Sequence, residues 1–254
     1  MAKVIGRNAR ILLGNRNVSC DTNQATLALT AEAPECTGFC DNYKVRLADG
    51  VRDAELSVDG FYNNSASTMD DIFATSLGGS ALAAIYFTGL AGSNHGREFV
   101  GVVSSYDPKF AVADAAGVSF KISGSSALYH VTSLSGSSVN SRKTPEISAV
   151  GLSTMGSVDL GIGAATCPHM ATFRVLAMGG TLPVFSASLQ ASTNDSAFTT
   201  VYVVSGITPA HIGNHSACLV TIPSASRYMR ISASLDGTAP CANFVIAVGS
   251  ARAM

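Results

Sequence analysis

The chain has 254 residues, of which 47% are hydrophobic and 13% are charged, and its formal net charge is −1. This balance excludes a disordered chain, and the length suffices for one large domain or two modest ones. Because the chain has no strong positive charge, gripping nucleic acid by neutralising its phosphates is not expected. Without a secretory apolar segment or a bilayer-length apolar run, we expect a soluble protein made in a reducing cytosol, with no membrane insertion.

Apolar and polar residues alternate with a period of two through much of the chain, which predicts strands with one buried face. The pattern appears first at 26–31 and again at 118–122. It returns at 185–192 and 229–235. The fold class predicted from this pattern is mainly β, because antiparallel sandwiches and barrels alternate in this way.

One segment follows a helical pattern instead. Thr68 and Asp71 form a capping box that satisfies free amide groups at a helix start. Apolar residues then recur at helical spacing up to Leu77, and Gly78-Gly79 supplies the left-handed residue that commonly ends a helix. We predict one short helix over 68–77, flanking the sheet.

A small, polar segment at 136–145 ends in proline and is typical of a linker. It predicts two domains, 1–138 and 139–254. The second contains strand candidates separated by turn signals, which predicts a second β-sandwich. These candidates are 157–160, 171–178, 184–192, 199–204, 217–222, 227–235 and 242–248.

The sequence carries no recognisable catalytic or cofactor motif, so we predict neither an enzyme nor a cofactor. His211 and His215 read as solvated loop residues rather than metal ligands. Asp70, beside Asp71, is explained by the positive end of the predicted helix. Asp49-Gly50 and Asp236-Gly237 read as turns. We expect small, buried apolar residues rather than a disulfide framework for the six cysteines, Cys20, Cys36, Cys40, Cys167, Cys218 and Cys241.

Three carboxylates, Asp53, Glu55 and Asp59, are separated by even steps and therefore fall on one face of a predicted strand. The strand rise places the outer two about 20 Å apart, which is too far for one cation site. A solvated or subunit-facing acidic stripe is the prediction.

Residues 37–63 combine a polar loop, a turn, this strand and an Asp-Gly-Phe-Tyr ending. The ordered set resembles the major tail tube proteins of long-tailed, siphovirus-type bacteriophages, and the resemblance covers about the first half of the chain. The positions that carry it are Thr37, Phe39, Lys44, Gly50, Asp53, Leu56, Asp59, Gly60, Phe61 and Tyr62.

The resemblance implies a β-sandwich or half-barrel with a flanking helix. Six copies would form a ring, and rings would stack into a hollow virion tail tube that conducts DNA without sequence-specific binding. Assembly in the bacterial host cytoplasm, and tape measure, tail terminator and distal tail proteins as partners, are also implied. The loop from Pro34 to Asp53 would reach a neighbouring subunit. The inter-subunit contacts expected on this basis are Thr37, Phe39, Tyr43, Lys44, Asp53, Glu55 and Asp59.

Two segments of the second half, 189–198 and 226–231, resemble β-sandwich domains of the discoidin or carbohydrate-binding type. The resemblance implies an outward decoration on a tail tube, with a host surface glycan as a possible ligand. Phe198 stands where such domains usually carry a turn tryptophan. The alternative function is therefore a carbohydrate-binding or adhesion module on a virion or secreted surface.

Overall fold

The computed structural model describes residues 9–14, 16–31, 52–62, 77–87, 94–110, 115–126, 128–134, 146–147, 151–154, 156–160, 169–211, 216–220 and 226–250. These residues are almost entirely β-strand, which confirms the predicted fold class. Within these ranges the helical structure is one 3-10 turn, Pro209–His211. None of the described residues forms a helix with the length and hydropathy of a membrane span.

Fifteen strands follow one another along the chain. They are β1 (Arg10–Leu13), β2 (Arg16–Asn17), β3 (Thr22–Ala31), β4 (Arg52–Phe61), β5 (Ser80–Tyr86), β6 (His95–Lys109), β7 (Gly117–Gly124), β8 (Tyr129–Ser133), β9 (Glu146–Ile147), β10 (Gly151–Thr154), β11 (Val158–Asp159), β12 (His169–Ser192), β13 (Thr199–Ile207), β14 (Ser216–Val220) and β15 (Tyr228–Ser250).

The contacts divide the chain into two compact units that interleave in sequence. The large unit contains Met1–Cys20, Leu82–Glu98 and Ala127–Met254. The small unit contains Asp21–Ala81 and Phe99–Ser126. The predicted boundary between 138 and 139 lies outside the described residues and stays a prediction. Strand β8, which precedes that boundary, pairs with β15, which follows it.

The small unit contains a four-stranded antiparallel sheet in the order β3-β4-β7-β6. Its core face carries the alternating apolar residues that the sequence pattern predicts, and Leu56 and Phe120 are almost completely buried there. Polar residues occupy the intervening positions. Because the side-chain period of a strand is two, this alternation fixes which face of the sheet is apolar.

The large unit is organised by a long ribbon in which β12 pairs with β15 from His169↔Ser250 to Ser192↔Tyr228. The sequence pattern predicts four strands here, because 179–183 and 236–241 contain glycine and proline and read as turns. That prediction is wrong at both places. Asp236-Gly237 is not a hairpin turn: it lies inside β15, where Asp236 pairs with Val184.

The ribbon continues because its two interruptions face each other. Residues 180–183 read Gly-Thr-Leu-Pro and residues 237–240 read Gly-Thr-Ala-Pro, and Thr181 pairs with Thr238. This pair stands between two register shifts, so the ribbon passes through the interruption as an irregular, bulged ladder and does not end in turns.

Both motifs use the left-handed backbone region at the same two positions. The φ angles are 101° at Gly180 and 126° at Gly237, and 51° and 47° at Leu182 and Ala239. A Cβ added at Gly180 would lie 2.6 Å from the Ala239 carbonyl oxygen, and one at Gly237 would lie 2.9 Å from that of Leu182. Glycine is therefore required at both positions by conformation and by space.

The halves of the ribbon on either side of these motifs contribute to one hydrophobic cluster. Phe185 of one half and Phe244 of the other pack with ring centroids 5.0 Å apart. A straight ribbon could not bring these rings together, so the paired bulges bend it and let it pack on itself. The cluster includes Ala171, Phe173, Val175, Phe185, Ala187, Leu189, Ala191, Met229, Ile231, Ala233, Leu235, Phe244, Ile246 and Val248.

A second, smaller cluster forms on the opposite face of the ribbon and contains a buried ion pair. Arg174 and Glu98 are fully buried, and Arg174 Nη2 lies 3.3 Å from Glu98 Oε1. The Tyr86 hydroxyl donates to the same carboxylate oxygen at 2.6 Å. Arg174 Nη1 donates to the Gly14 carbonyl at 2.9 Å. The pair ties β12 to β6 and to the turn after β1.

Two other sequence predictions meet the structure only in part. The helix predicted over 68–77 lies outside the described residues except for Leu77, which forms an isolated bridge with Val103. Gly78 has φ 76°, the left-handed conformation predicted for it. Cys20 and Cys241 are free thiols, and Cys20 is exposed and Cys241 half-buried, contrary to the burial predicted for the cysteines.

Alanine substitutions separate the two roles of glycine in the paired motifs. Gly180→Ala should lower the free energy of unfolding by about 2 kcal/mol or more, because it adds backbone strain and a steric clash. Gly206 also has a left-handed φ but no atom within 4 Å of an added Cβ, so Gly206→Ala should cost about 1 kcal/mol. Gly156→Ala, which meets neither constraint, is the control. Denaturant titration of the three variants checks this order.

Burial, aided by the neighbouring Glu98 carboxylate, raises the pKa of the Tyr86 phenol well above its ordinary value of 10.0. Above about pH 10 the Tyr86 phenol loses its proton in the unfolded chain but keeps it in the folded chain. The free energy of unfolding therefore falls as the pH rises. We expect wild-type protein to lose up to about 1.4 kcal/mol per pH unit more than Tyr86→Phe above about pH 10. Parallel slopes for the two proteins in alkaline denaturation series would contradict this.

Candidate assembly surface

The central strand of the small unit, β4, presents the predicted carboxylates on its polar face. Asp53 and Asp59 are exposed and Glu55 is half-buried, whereas Leu56 and Val58 are buried. This alternation confirms that the three carboxylates share one face of the strand. Their role in contacts between subunits stays a prediction.

Neighbouring strands extend this polar face across the sheet. Asp59 pairs with Ser119, which pairs in turn with Asp107 of β6. Ser57 pairs with Lys121. Sequence reasoning missed Asp107 and Lys121 as members of the surface. The alternation in 118–122 marked Lys121 as outward-facing, but only the pairing of β4 with β7 and of β7 with β6 places these residues beside the predicted stripe.

The polar face carries net negative charge. Its acidic residues outnumber its basic ones, and the ion pair between Lys121 Nζ and Glu55 Oε1, at 3.3 Å, neutralises one carboxylate. Both side chains of this pair are substantially exposed. An exposed ion pair of this kind contributes about 0–1 kcal/mol to stability. Its charges therefore matter mainly for a molecule that approaches this face of the sheet. The charged members are Asp53, Glu55, Asp59, Asp107, Lys109 and Lys121.

The Asp-Gly-Phe-Tyr ending forms a corner at the end of β4. The Phe61 amide donates to the Asp21 carbonyl at 2.8 Å, and the Tyr62 amide donates to the Ala116 carbonyl at 2.8 Å. The Tyr62 ring meets the Phe110 ring edge to face, with centroids 5.0 Å apart. Backbone hydrogen bonds and an aromatic contact thus hold the exit of the strand in place.

Strand β3 is an outer strand of this sheet, and among the described residues it pairs with β4 alone. Leu29 pairs with the buried Ala54, so it lies on the core side of the sheet, yet it is 42% exposed. An outer strand with a large apolar side chain is a template for pairing with another chain.

Strand β6 lies at the other side of this sheet, where it pairs with β7 along 101–109 and also has β5 as a neighbour. Gly78 and Gly79 border it at Val103, and residues 105–109 continue past that contact. Phe110 follows directly and is 68% exposed. Because the four strands alternate in direction, β3 and β6 run antiparallel to each other. Strand β3 and the stretch 105–109 of β6 therefore have the directions that antiparallel pairing between copies requires.

The remaining predicted contact residues, Thr37, Phe39, Tyr43 and Lys44, lie outside the described residues. His211 ends the 3-10 turn, and His215 lies outside the described residues. No group of His, Cys, Asp and Glu in the described part of the chain could hold a metal ion.

Phe198, the residue at the position of the expected turn tryptophan, has one face of its ring covered by Arg230. The Arg230 guanidinium carbon lies 3.8 Å from the ring centroid, and Arg230 Nε donates to Gln190 Oε1 at 2.7 Å. A sugar that stacks on an aromatic residue needs a free ring face. On the Arg230 side, this ring serves to hold the turn against β15.

No family model and no curated protein matches the chain. Among solved structures it is similar to a chain in the virion of a native gene transfer agent particle, with 16% identity, a TM-score of 0.44, and coverage of 51% of this chain and 98% of that one. It is also similar to the tail tube of SPP1, with 9% identity, a TM-score of 0.42 and coverage of 48% and 76%.

A further likeness spans more of the chain. The Dit protein of SPP1, from the hub adsorption apparatus of phages that infect Gram-positive hosts, covers 94% of this chain over 98% of its own length, with 10% identity and a TM-score of 0.36. At TM-scores below 0.5, these likenesses do not establish a function.

Two neighbouring substitutions on β4 distinguish its faces. Leu56→Ala should lower the free energy of unfolding by about 2–5 kcal/mol, because Leu56 is fully buried. Glu55→Gln should change it by about 0.5 kcal/mol or less, because the ion pair that it removes is exposed. Equal losses in denaturant titrations of the two variants would show that the polar face is buried in the isolated subunit.

Proposed function

We propose that this protein is a non-enzymatic structural subunit of a bacteriophage tail, which assembles with copies of itself. The observation that supports this most directly is the four-stranded sheet of the small unit, with one apolar face, one charged face and an outer strand, β3, that carries the exposed Leu29. The Asp-Gly-Phe-Tyr ending, one of the features that carry the family resemblance, forms a corner at the end of β4 that backbone hydrogen bonds hold in place.

In the proposed ring, β3 of one copy pairs with residues 105–109 of β6 in the next copy. The antiparallel direction of these two strands permits this pairing, and Leu29 then becomes covered by the neighbour. Repetition around six copies gives a closed barrel, which removes the outer edges that would otherwise promote aggregation. Rings stack into a tube, with Thr37, Phe39, Tyr43 and Lys44 contacting neighbouring subunits.

The charged face of the sheet lines the lumen in this proposal, so Asp53, Glu55 and Asp59 follow the solvated alternative of the sequence prediction and not the subunit-facing one. Its carboxylates, Asp53, Asp59 and Asp107 among them, repel the phosphates of passing DNA. Viral DNA therefore moves through the tube without sequence-specific binding, because the face offers no row of basic residues to neutralise phosphates.

The other parts of the proposal follow from the same family resemblance. Residues 139–254 are displayed on the outside of the tube. The tape measure, tail terminator and distal tail proteins are the remaining partners. The mature protein resides in the virion tail after assembly in the bacterial host cytoplasm.

The test is a charge placed on the outer strand. Leu29→Lys should abolish rings and tubes while leaving the subunit folded, because a lysine on an outer strand opposes pairing between copies. Val203→Lys is the matched control, because Val203 is 57% exposed on β13 of the large unit and takes no part in the proposed seam. Light scattering after size exclusion and negative-stain microscopy measure assembly, and circular dichroism measures folding.

Two results would count against the proposal. Tubes of normal length from Leu29→Lys would show that β3 does not form the seam. A wild-type protein that stays monomeric at every concentration tested would contradict self-assembly itself.

A further inference from the structure

The interior of the large unit contains polar groups that the fold only partly satisfies. Glu98 Oε1 accepts a hydrogen bond from the Tyr86 hydroxyl at 2.6 Å and lies 3.3 Å from Arg174 Nη2. Arg174 Nη1 donates to the Gly14 carbonyl at 2.9 Å. Among the described residues, Glu98 Oε1 and Arg174 Nη1 thus account for the side-chain hydrogen bonds of Glu98 and Arg174.

Four other buried atoms of this region have no hydrogen-bond partner among the described residues. They are Glu98 Oε2, Arg174 Nε, Arg174 Nη2 and Thr172 Oγ1. Thr172 precedes Arg174 by two residues on β12, so both side chains point to the same side of the ribbon. All three residues are fully buried.

The existing contacts explain why the ion pair does not satisfy these atoms itself. A two-pronged arginine–carboxylate pair would use both carboxylate oxygens. Here the Tyr86 hydroxyl holds Glu98 Oε1, and the Gly14 carbonyl holds Arg174 Nη1. As a result, Glu98 Oε2 and Arg174 Nε do not form the second hydrogen bond of such a pair. The surrounding side chains, such as Leu12 and Val245, are apolar and make unsatisfied polar atoms costly.

We propose that Glu98, Arg174 and Thr172 form an internal binding site for ordered water. Water bridges Glu98 Oε2 to Arg174 Nε and bonds the Thr172 hydroxyl. The site supplies donors from the guanidinium, an acceptor from the carboxylate and a hydroxyl that does both, which is the range of partners that a buried water uses.

The first test is an experimental structure of the full chain at a resolution that shows solvent. We expect a solvent peak within about 2.7–3.2 Å of both Glu98 Oε2 and Arg174 Nε. A direct contact between these two atoms, or an interior without such a peak, would overturn the proposal.

The second test uses a substitution that preserves shape. Thr172→Val removes only the hydroxyl, so a water-bonded hydroxyl predicts a lower denaturation midpoint for the variant. A hydroxyl without a partner predicts the opposite sign, because its removal relieves an unsatisfied group. Thr200→Val, at an exposed strand position, is the control for the effect of valine alone. A midpoint at Thr172→Val that is unchanged or raised relative to this control would overturn the proposal.

Discussion

The pairing of β12 with β15 is the constraint on which the large unit depends. Both strands carry glycine and proline at their centres, where a lone strand would end. They continue because Gly-Thr-Leu-Pro at 180–183 and Gly-Thr-Ala-Pro at 237–240 face each other across the ribbon. The bend at this point lets the two halves of one ribbon share a hydrophobic cluster, in which Phe185 meets Phe244. Without this mutual pairing, the two strands would end at their central motifs, and the two halves would not fold onto one cluster.

The two faces of this ribbon are stabilised in different ways. One face buries only apolar side chains, whose burial is favourable in any register that keeps them inside. The other contains Glu98 and Arg174, which tolerate far fewer arrangements, because each is a buried charge that needs its partner. The second face also buries apolar residues such as Leu12 and Val245, but it additionally requires Glu98 and Arg174 to stay paired.

The sequence predicted the local alternation well and the long-range pairing poorly. Burial at Leu56 and Phe120, and exposure at Asp53 and Asp59, follow directly from a period of two. Asp107 joins the same face only through β7, a contact between residues distant in the chain. The turns predicted at 179–183 and 236–241 failed for a similar reason, because each segment alone resembles a turn and only their mutual pairing makes them strand. Glu98 and Arg174 carried no signal, since isolated charged residues normally indicate a surface.

The four alternating strands of the small unit have a consequence for the geometry of any closed assembly. An even number of strands per copy means that every seam joins oppositely directed strands, whatever the number of copies. Five, six or seven copies would therefore satisfy strand polarity equally well, and polarity cannot select the size of the ring. In the proposed ring, the angle at which neighbouring sheets meet sets that size, and seam side chains such as Leu29 influence this angle. A change of bulk at that position would then alter the diameter of the proposed channel while every subunit keeps its fold.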